Sequence, residues 1–190
     1  MRSVTANFDE LIQRIQQGRD FAHASFEPIY YLVFHPNEIL DVKRQLRAWT
    51  SRLRQNGWTP HRLSLAEVVL DISKSARTRS IWLTADAQAP LEWTRSNQAI
   101  ANALSNNQLV ERVAAAIDNA AESENGILLV TDLEALHPYI RIGAIETQLY
   151  GRFRVPTVIL YPGERTGKTR LSFLGFYPED GNYRSVHVGG

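Results

Sequence analysis

The sequence predicts an α/β domain: a mostly parallel sheet with helices on both faces, closed by an antiparallel C-terminal hairpin. Three observations carry this. Short, nearly all-apolar runs recur along the chain, as in Ile29-Tyr-Tyr-Leu-Val-Phe34 and Ile127-Leu-Leu-Val-Thr131. Such runs mark strands buried on both faces, as parallel strands are. Segments with helical spacing of apolar residues lie between them. After Tyr161 the alternation stops, and two strand-like runs follow without a helix between them, which points to antiparallel pairing.

The elements follow in order. Phe8, Leu11, Ile12 and Ile15 have helical spacing, with Asn7 as the expected cap and Gly18 as the expected stop. The first strand lies between Pro28 and Pro36. Ile39, Val42, Leu46, Trp49 and Leu53 form one apolar stripe on a helix from about residue 39 to 55, ended by Asn56-Gly57. His61–Leu65 is a second strand, and a helix follows from Ala66 to Arg77. Residues 81–96 show no clean period and read as a packed loop with at most one turn. Ser96 is the expected cap of one long helix reaching Ser123, with Ile100, Leu104, Val110, Val113 and Ile117 as its spine. Ile127–Thr131 is the third strand. His137-Pro138 is expected to open a helix with proline in its first turn, where a missing N–H costs nothing. Pro156–Tyr161 is the fourth strand. Leu171–Phe176 and Tyr183–Val188 are the last two, joined by the turn-rich Pro178–Gly181.

The 190 residues suit a single domain spanning 1–190. Hydrophobic residues make up 44% and charged residues 22%, which excludes a disordered or fibrous chain. The absence of cysteine excludes disulfides, a thiol nucleophile and thiolate metal sites. No apolar run approaches the roughly 20 residues that span a bilayer, and residues 1–17 lack the apolar core of a signal peptide. The expected compartment is therefore the cytoplasm, away from membranes. The net charge of +1 does not single out a nucleic-acid binder.

Charge is nevertheless clustered. Residues 41–62 hold six basic side chains and one acidic, whereas residues 111–134 hold six acidic and one basic. Lys43, Arg44, Arg47 and Arg54 lie off the apolar stripe of their helix and are the candidate partner-binding row, fit for acidic protein surfaces or phosphates. A solvated helix face is the plainer reading. Faces of opposite sign would also allow a homodimer.

Catalytic motifs are absent. Gly163-Glu-Arg-Thr-Gly-Lys-Thr169 has three residues between its first glycine and Gly-Lys, where a phosphate loop has four, and it leads into a strand. The turn after the first strand, where a phosphate loop belongs, reads His35-Pro-Asn-Glu38, with neither glycine nor lysine. Asp132, at the end of an apolar strand, has the form of a magnesium-holding acid. It is a candidate cofactor residue, weighed against a structural role as a cap. His23, His35, His61, His137 and His187 show no helical zinc spacing, and there is no G-x-S-x-G elbow. No enzyme activity, catalytic residue, metal or cofactor is expected.

Leu129-Val-Thr-Asp-Leu-Glu-Ala-Leu-His-Pro-Tyr-Ile-Arg141, Val155-Pro-Thr-Val-Ile-Leu-Tyr-Pro-Gly163, Leu171–Phe176 and Asn182-Tyr-Arg184 resemble the BrxB family of BREX bacterial anti-phage systems. Tyr30–Phe34 with Pro36 and Glu38 is similar to that family's N-terminal strand. The resemblance implies a non-enzymatic assembly component working beside other BREX proteins: a PglZ-like phosphatase-family protein, an adenine methyltransferase and an ATPase. No catalytic activity is attached to the family, so the resemblance carries over no catalytic residues. The strand ending in Asp132 and the missing phosphate loop agree with it and read as a nucleotide-hydrolase-like core without a phosphate loop. Two other readings stay open. One is a degenerate ATPase-like domain that still binds nucleotide or magnesium. The other is a nucleic-acid-binding accessory subunit that contacts DNA directly.

Overall fold

The computed structural model describes residues 3–20, 27–105, 107–167, 170–181 and 185–190, with the side chains of residues 19 and 20 excepted. The element order is α1 (Val4–Asp20), β1 (Ile29–Phe34), α2 (Ile39–Gln55), β2 (Thr59–Ser64), α3 (Leu65–Ser75), α4 (Arg79–Gln88), α5 (Trp93–Ser105), α6 (Gln108–Ala121), β3 (Gly126–Thr131), α7 (Ile142–Gln148), β4 (Thr157–Thr166), β5 (Arg170–Phe173), β6 (Asp180–Gly181) and β7 (Val186–Gly189). Short 3-10 turns at Pro36–Glu38 and Leu133–Leu136 follow β1 and β3.

Five strands run parallel in the order β2-β3-β4-β1-β7. Every residue of β1 and β3 is buried, because helices cover both faces. Alternation along each strand divides the core in two. Tyr30, Leu32, Phe34, Leu129 and Val158 meet α1 and α2, where Trp49 stacks on Phe8 at a centroid distance of 4.4 Å. Tyr31, Val33, Val130 and Ile159 meet the opposite layer, built from α3, α5, α6 and α7. The expected fold class is the observed one, and Leu129, Ile145, Val158 and Ile159 are all in the core.

Several local expectations are corrected. α1 begins before Asn7: the Ser3 hydroxyl accepts from the Ala6 N–H at 3.3 Å, and Asn7 is a buried helical residue. The helix also continues past Gly18. That position serves close approach rather than termination, since a Cβ there would lie 2.8 Å from the Tyr30 hydroxyl. Residues 81–96 are not a loop. Residues 79–88 form α4, and α5 starts at Trp93 rather than at a Ser96 cap. Ser96 instead hydrogen-bonds Asp86 across the two helices. The one long helix is two, interrupted before Asn107, whose φ is +62°. The pattern could not reveal the break because Leu104, Leu109 and Val113 all face the same core.

The peptide His137-Pro138 is cis and opens no helix; α7 begins only at Ile142. Burial of Leu133 and Leu136 forces a tight turn directly after β3. The antiparallel hairpin exists, but it joins the second half of β4 to β5, with β6 added to β5. The last strand, β7, is not its antiparallel partner. It runs parallel to β1 with Tyr30 opposite Val186, because fully buried β1 needs a neighbour on both edges.

Candidate functional site

Parallel sheets open their ligand crevices at the carboxyl ends of the strands. Here β4 separates β1 from β3, so the loops after β1 and β3 lie on the same edge. The loop after β1 folds into a closed capping box. The Asn37 N–H donates to His35 Nδ1 at 3.2 Å, and the His35 N–H donates to Glu38 Oε2 at 3.0 Å. The Glu38 N–H donates to the His35 carbonyl at 2.8 Å, and the Ile39 N–H to the Pro36 carbonyl. Pro36 has no N–H to offer. The donors that would cradle a phosphate are thus spent within the turn, and Glu164 lies 3.6 Å from His35.

The loop after β3 is neutralised from α2. Asp132 has a left-handed backbone with φ +60° and a side chain only 9% exposed. Its Oδ1 meets Lys43 Nζ at 2.9 Å. Its Oδ2 accepts from Ser64 at 2.7 Å and from Thr131 at 2.8 Å, with Arg62 at 3.4 Å. Lys43 also meets Glu134 at 2.7 Å. The ammonium therefore occupies the position a cation would take beside these carboxylates. The space left among Phe34, Ile39, Lys43, Thr131 and Asp132 is about 10 Å³, room for one water at most.

Burial pushes the Asp132 carboxyl up. Hydrogen bonds from Lys43, Ser64 and Thr131, together with the Lys43 charge, outweigh it and hold the group at about 2, below its ordinary 3.8. For Lys43, burial pulls the ammonium down, but its bonds to Glu134 and Asp132 prevail and raise it above 10.5. The signs give a stability window. The Asp132 contribution is complete above its ordinary pKa of 3.8 and is lost as pH falls to about 2. The Lys43 contribution is complete below 10.5 and is lost as pH rises through its raised value. Asp132→Asn keeps the left-handed backbone accessible but removes the charge. It is expected to cost about 1–2 kcal/mol at neutral pH, after allowance for solvent at the lysine end. The acid limb should then flatten. Urea unfolding of both forms from pH 7 to pH 2 measures this; parallel acid limbs would exclude the Asp132 network as their source.

The structure separates the residues of the basic row. Lys43 turns toward Asp132 and Glu134. Arg44 pairs with Asp41 at 2.9 Å, both side chains well exposed. Arg47 and Arg54 are exposed and form no ion pair among the described residues. Of the acidic stretch, Asp118 pairs with Arg152 at 2.6 Å, while Asp132 and Glu134 belong to the Lys43 cluster. Gly163–Thr166 is strand paired to β5, not a phosphate loop. Lys168, Thr169, His23 and Asn182–Arg184 lie outside the described residues.

Two features had no signal in the sequence. One is the closure of Asp132 by Lys43, Ser64 and Arg62, residues 68 to 89 positions away in the chain. The other is a cavity of about 590 Å³ between α7 and β5–β6, walled by Tyr31, Tyr161 and Phe173. There the Tyr31 hydroxyl donates to Glu146 at 2.6 Å, and Arg141 lies 3.7 Å from the centre of the Tyr177 ring. Burial, reinforced by the Asp180 charge, pushes the Tyr161 phenol well up. Among the described residues, no group of three or more His, Cys, Asp or Glu side chains is placed to hold a metal ion, and no helix is long and apolar enough to cross a membrane.

Comparison with known proteins gives one finding. A family model described as BREX protein BrxB matches residues 61–188, from β2 into β7, leaving α1, β1 and α2 outside. No curated protein and no solved structure matches the chain.

Proposed function

Because the chain belongs to the BrxB family, and with it to BREX phage defence, we propose that it is a non-enzymatic assembly component of a BREX complex, acting through protein–protein contacts. The observation that carries this reading is the paired closure of the crevice. The loop after β1 spends its N–H groups on itself, and Lys43 neutralises the acid after β3. A domain with those two positions filled from within has a surface to offer rather than a pocket for nucleotide. The proposed docking surface is the exposed side of α2, with Arg44, Arg47 and Arg54. Its proposed recipient is the PglZ-like phosphatase-family protein, through surface carboxylates that each guanidinium can grip with two parallel hydrogen bonds.

Co-purification of the tagged chain with each BREX component tests the assembly role. Calorimetry with ATP and magnesium tests the closed crevice, and no binding heat is expected. Micromolar binding abolished by Asp132→Ala would instead make the chain a degenerate nucleotide-binding domain. A DNA complex that weakens steeply with salt would make it a nucleic-acid accessory.

A further inference from the structure

A component that joins others needs a second surface, and the layer opposite α2 carries one. Between the end of α3, the N-terminal half of α4, α5 and the start of α6 runs a groove of about 680 Å³. Trp82 forms one wall, Ala99 and Ala103 give it a small-residue floor, and Asn102 and Gln108 supply polar groups. Arg77 stands on its lining.

Three features set this region apart from an ordinary solvated helix pair. α4 buries none of its residues, yet Ile81, Leu83, Leu91 and Trp93 are 53–89% exposed on α4 and at the turn into α5. Lys74, Arg77, Arg79 and Arg95 are all exposed, with no ion pair among the described residues. Finally, Arg79 and Arg95 occupy the first turns of α4 and α5, which hold no acidic residue at all. The helix dipole disfavours cations at that end. These arginines are therefore placed against local helix stability.

The groove itself sets Trp82 and small side chains beside Arg77. Lys74, Arg79 and Arg95 stand exposed on the helices that frame it, against exposed Asp71 on α3 and Glu92 in the turn before α5. An aromatic anchor with a charged surround is the composition of an interface hot spot. We infer that this α4–α5 groove receives a segment of a partner protein that presents an apolar side chain flanked by carboxylates. The apolar side chain would seat against Trp82 over the alanine floor, and the carboxylates would meet Arg77, Arg79 and Arg95. The inference rests on the assembly reading and deepens it. α2 packs on one face of the sheet and the groove on the other, so the chain can hold two partners at once. The groove also lies within the span of the family match.

The four tryptophans supply the test. Trp49 and Trp58 are buried in the α2 layer, whereas Trp82 lines the groove and Trp93 is exposed at the start of α5, off its lining. Full-length protein is titrated with the remaining BREX proteins purified together. The expected result is a blue shift of tryptophan emission that disappears in Trp82→Phe and persists in Trp93→Phe. A loss of at least 10-fold in affinity is expected in Arg77→Glu/Arg79→Glu. That double reversal puts acids at a helix N-terminus, where they favour the fold, so misfolding does not confound the result; circular dichroism confirms it. Wild-type binding matched by the Arg77/Arg79 variant, with Trp82 emission unmoved, overturns the groove while leaving the assembly role standing. No binding of any BREX protein by the wild type overturns both. Loss of DNA binding in place of protein binding also overturns the groove as a protein site.

Discussion

Truncation of Ile159 to alanine is expected to lower the unfolding free energy by about 2–5 kcal/mol, a large share of the ~5–15 kcal/mol that holds a domain together. β4 is the middle strand of the parallel sheet. Ile159 pairs with Tyr31 of β1 on one side and Val130 of β3 on the other. It is 2% exposed in the core layer that α6 and α7 cover. Hydrogen bonds fix both neighbouring strands, so the backbone cannot close over the space left by the lost atoms. The cost then includes a cavity as well as lost burial. Val186→Ala on edge strand β7, where the side chain is already 39% exposed, should cost well under half as much. Denaturant midpoints of the two variants decide it, and an unshifted midpoint for Ile159→Ala would contradict the central position of β4.

The second large effect concerns binding. Reversing Arg44, Arg47 and Arg54 to glutamate is expected to leave the fold intact and to slow association with the PglZ-like partner at least 10-fold. The fold should survive because all three side chains lie off the stripe of Val42, Trp49 and Leu53 that α2 buries. The one ion pair lost, Arg44 with Asp41, is well exposed on both sides and is worth about 0–1 kcal/mol. Association should slow because exposed cations steer an acidic partner from a distance; for the same reason the wild-type rate should fall as salt is added. Lys43 is left untouched, since its reversal would place a third carboxylate beside Asp132 and Glu134. A folded triple variant that associates as fast as wild type would remove α2 from the interface. The α4–α5 groove would remain as a docking surface, and its tryptophan emission reads out separately.

What the sequence determined by itself was whatever depends on neighbours along the chain. The buried runs Ile29–Phe34 and Ile127–Thr131 are strands because every residue in them is apolar or small enough to be covered on both faces. α2 occupies residues 39–55 as its stripe predicts. The lack of a phosphate loop was equally legible, because glycine and lysine are missing from residues 35–38. The family resemblance was legible in the run from Leu129 to Gly163, and its match extends over residues 61–188.

Tertiary structure alone decided the rest. Periodicity counts apolar residues but does not sense a backbone break, so α5 and α6 read as one helix although Asn107 turns the chain between them. α4 read as a loop because it buries nothing, which leaves no stripe to detect. The final strand read as half of a hairpin, but the unfilled edge of β1 drew it into the parallel sheet. Lys43 read as one of a row of surface cations. Its ammonium is instead held by carboxylates about 90 residues away, since a charge takes the nearest opposite charge in space and sequence distance does not enter Coulomb's law.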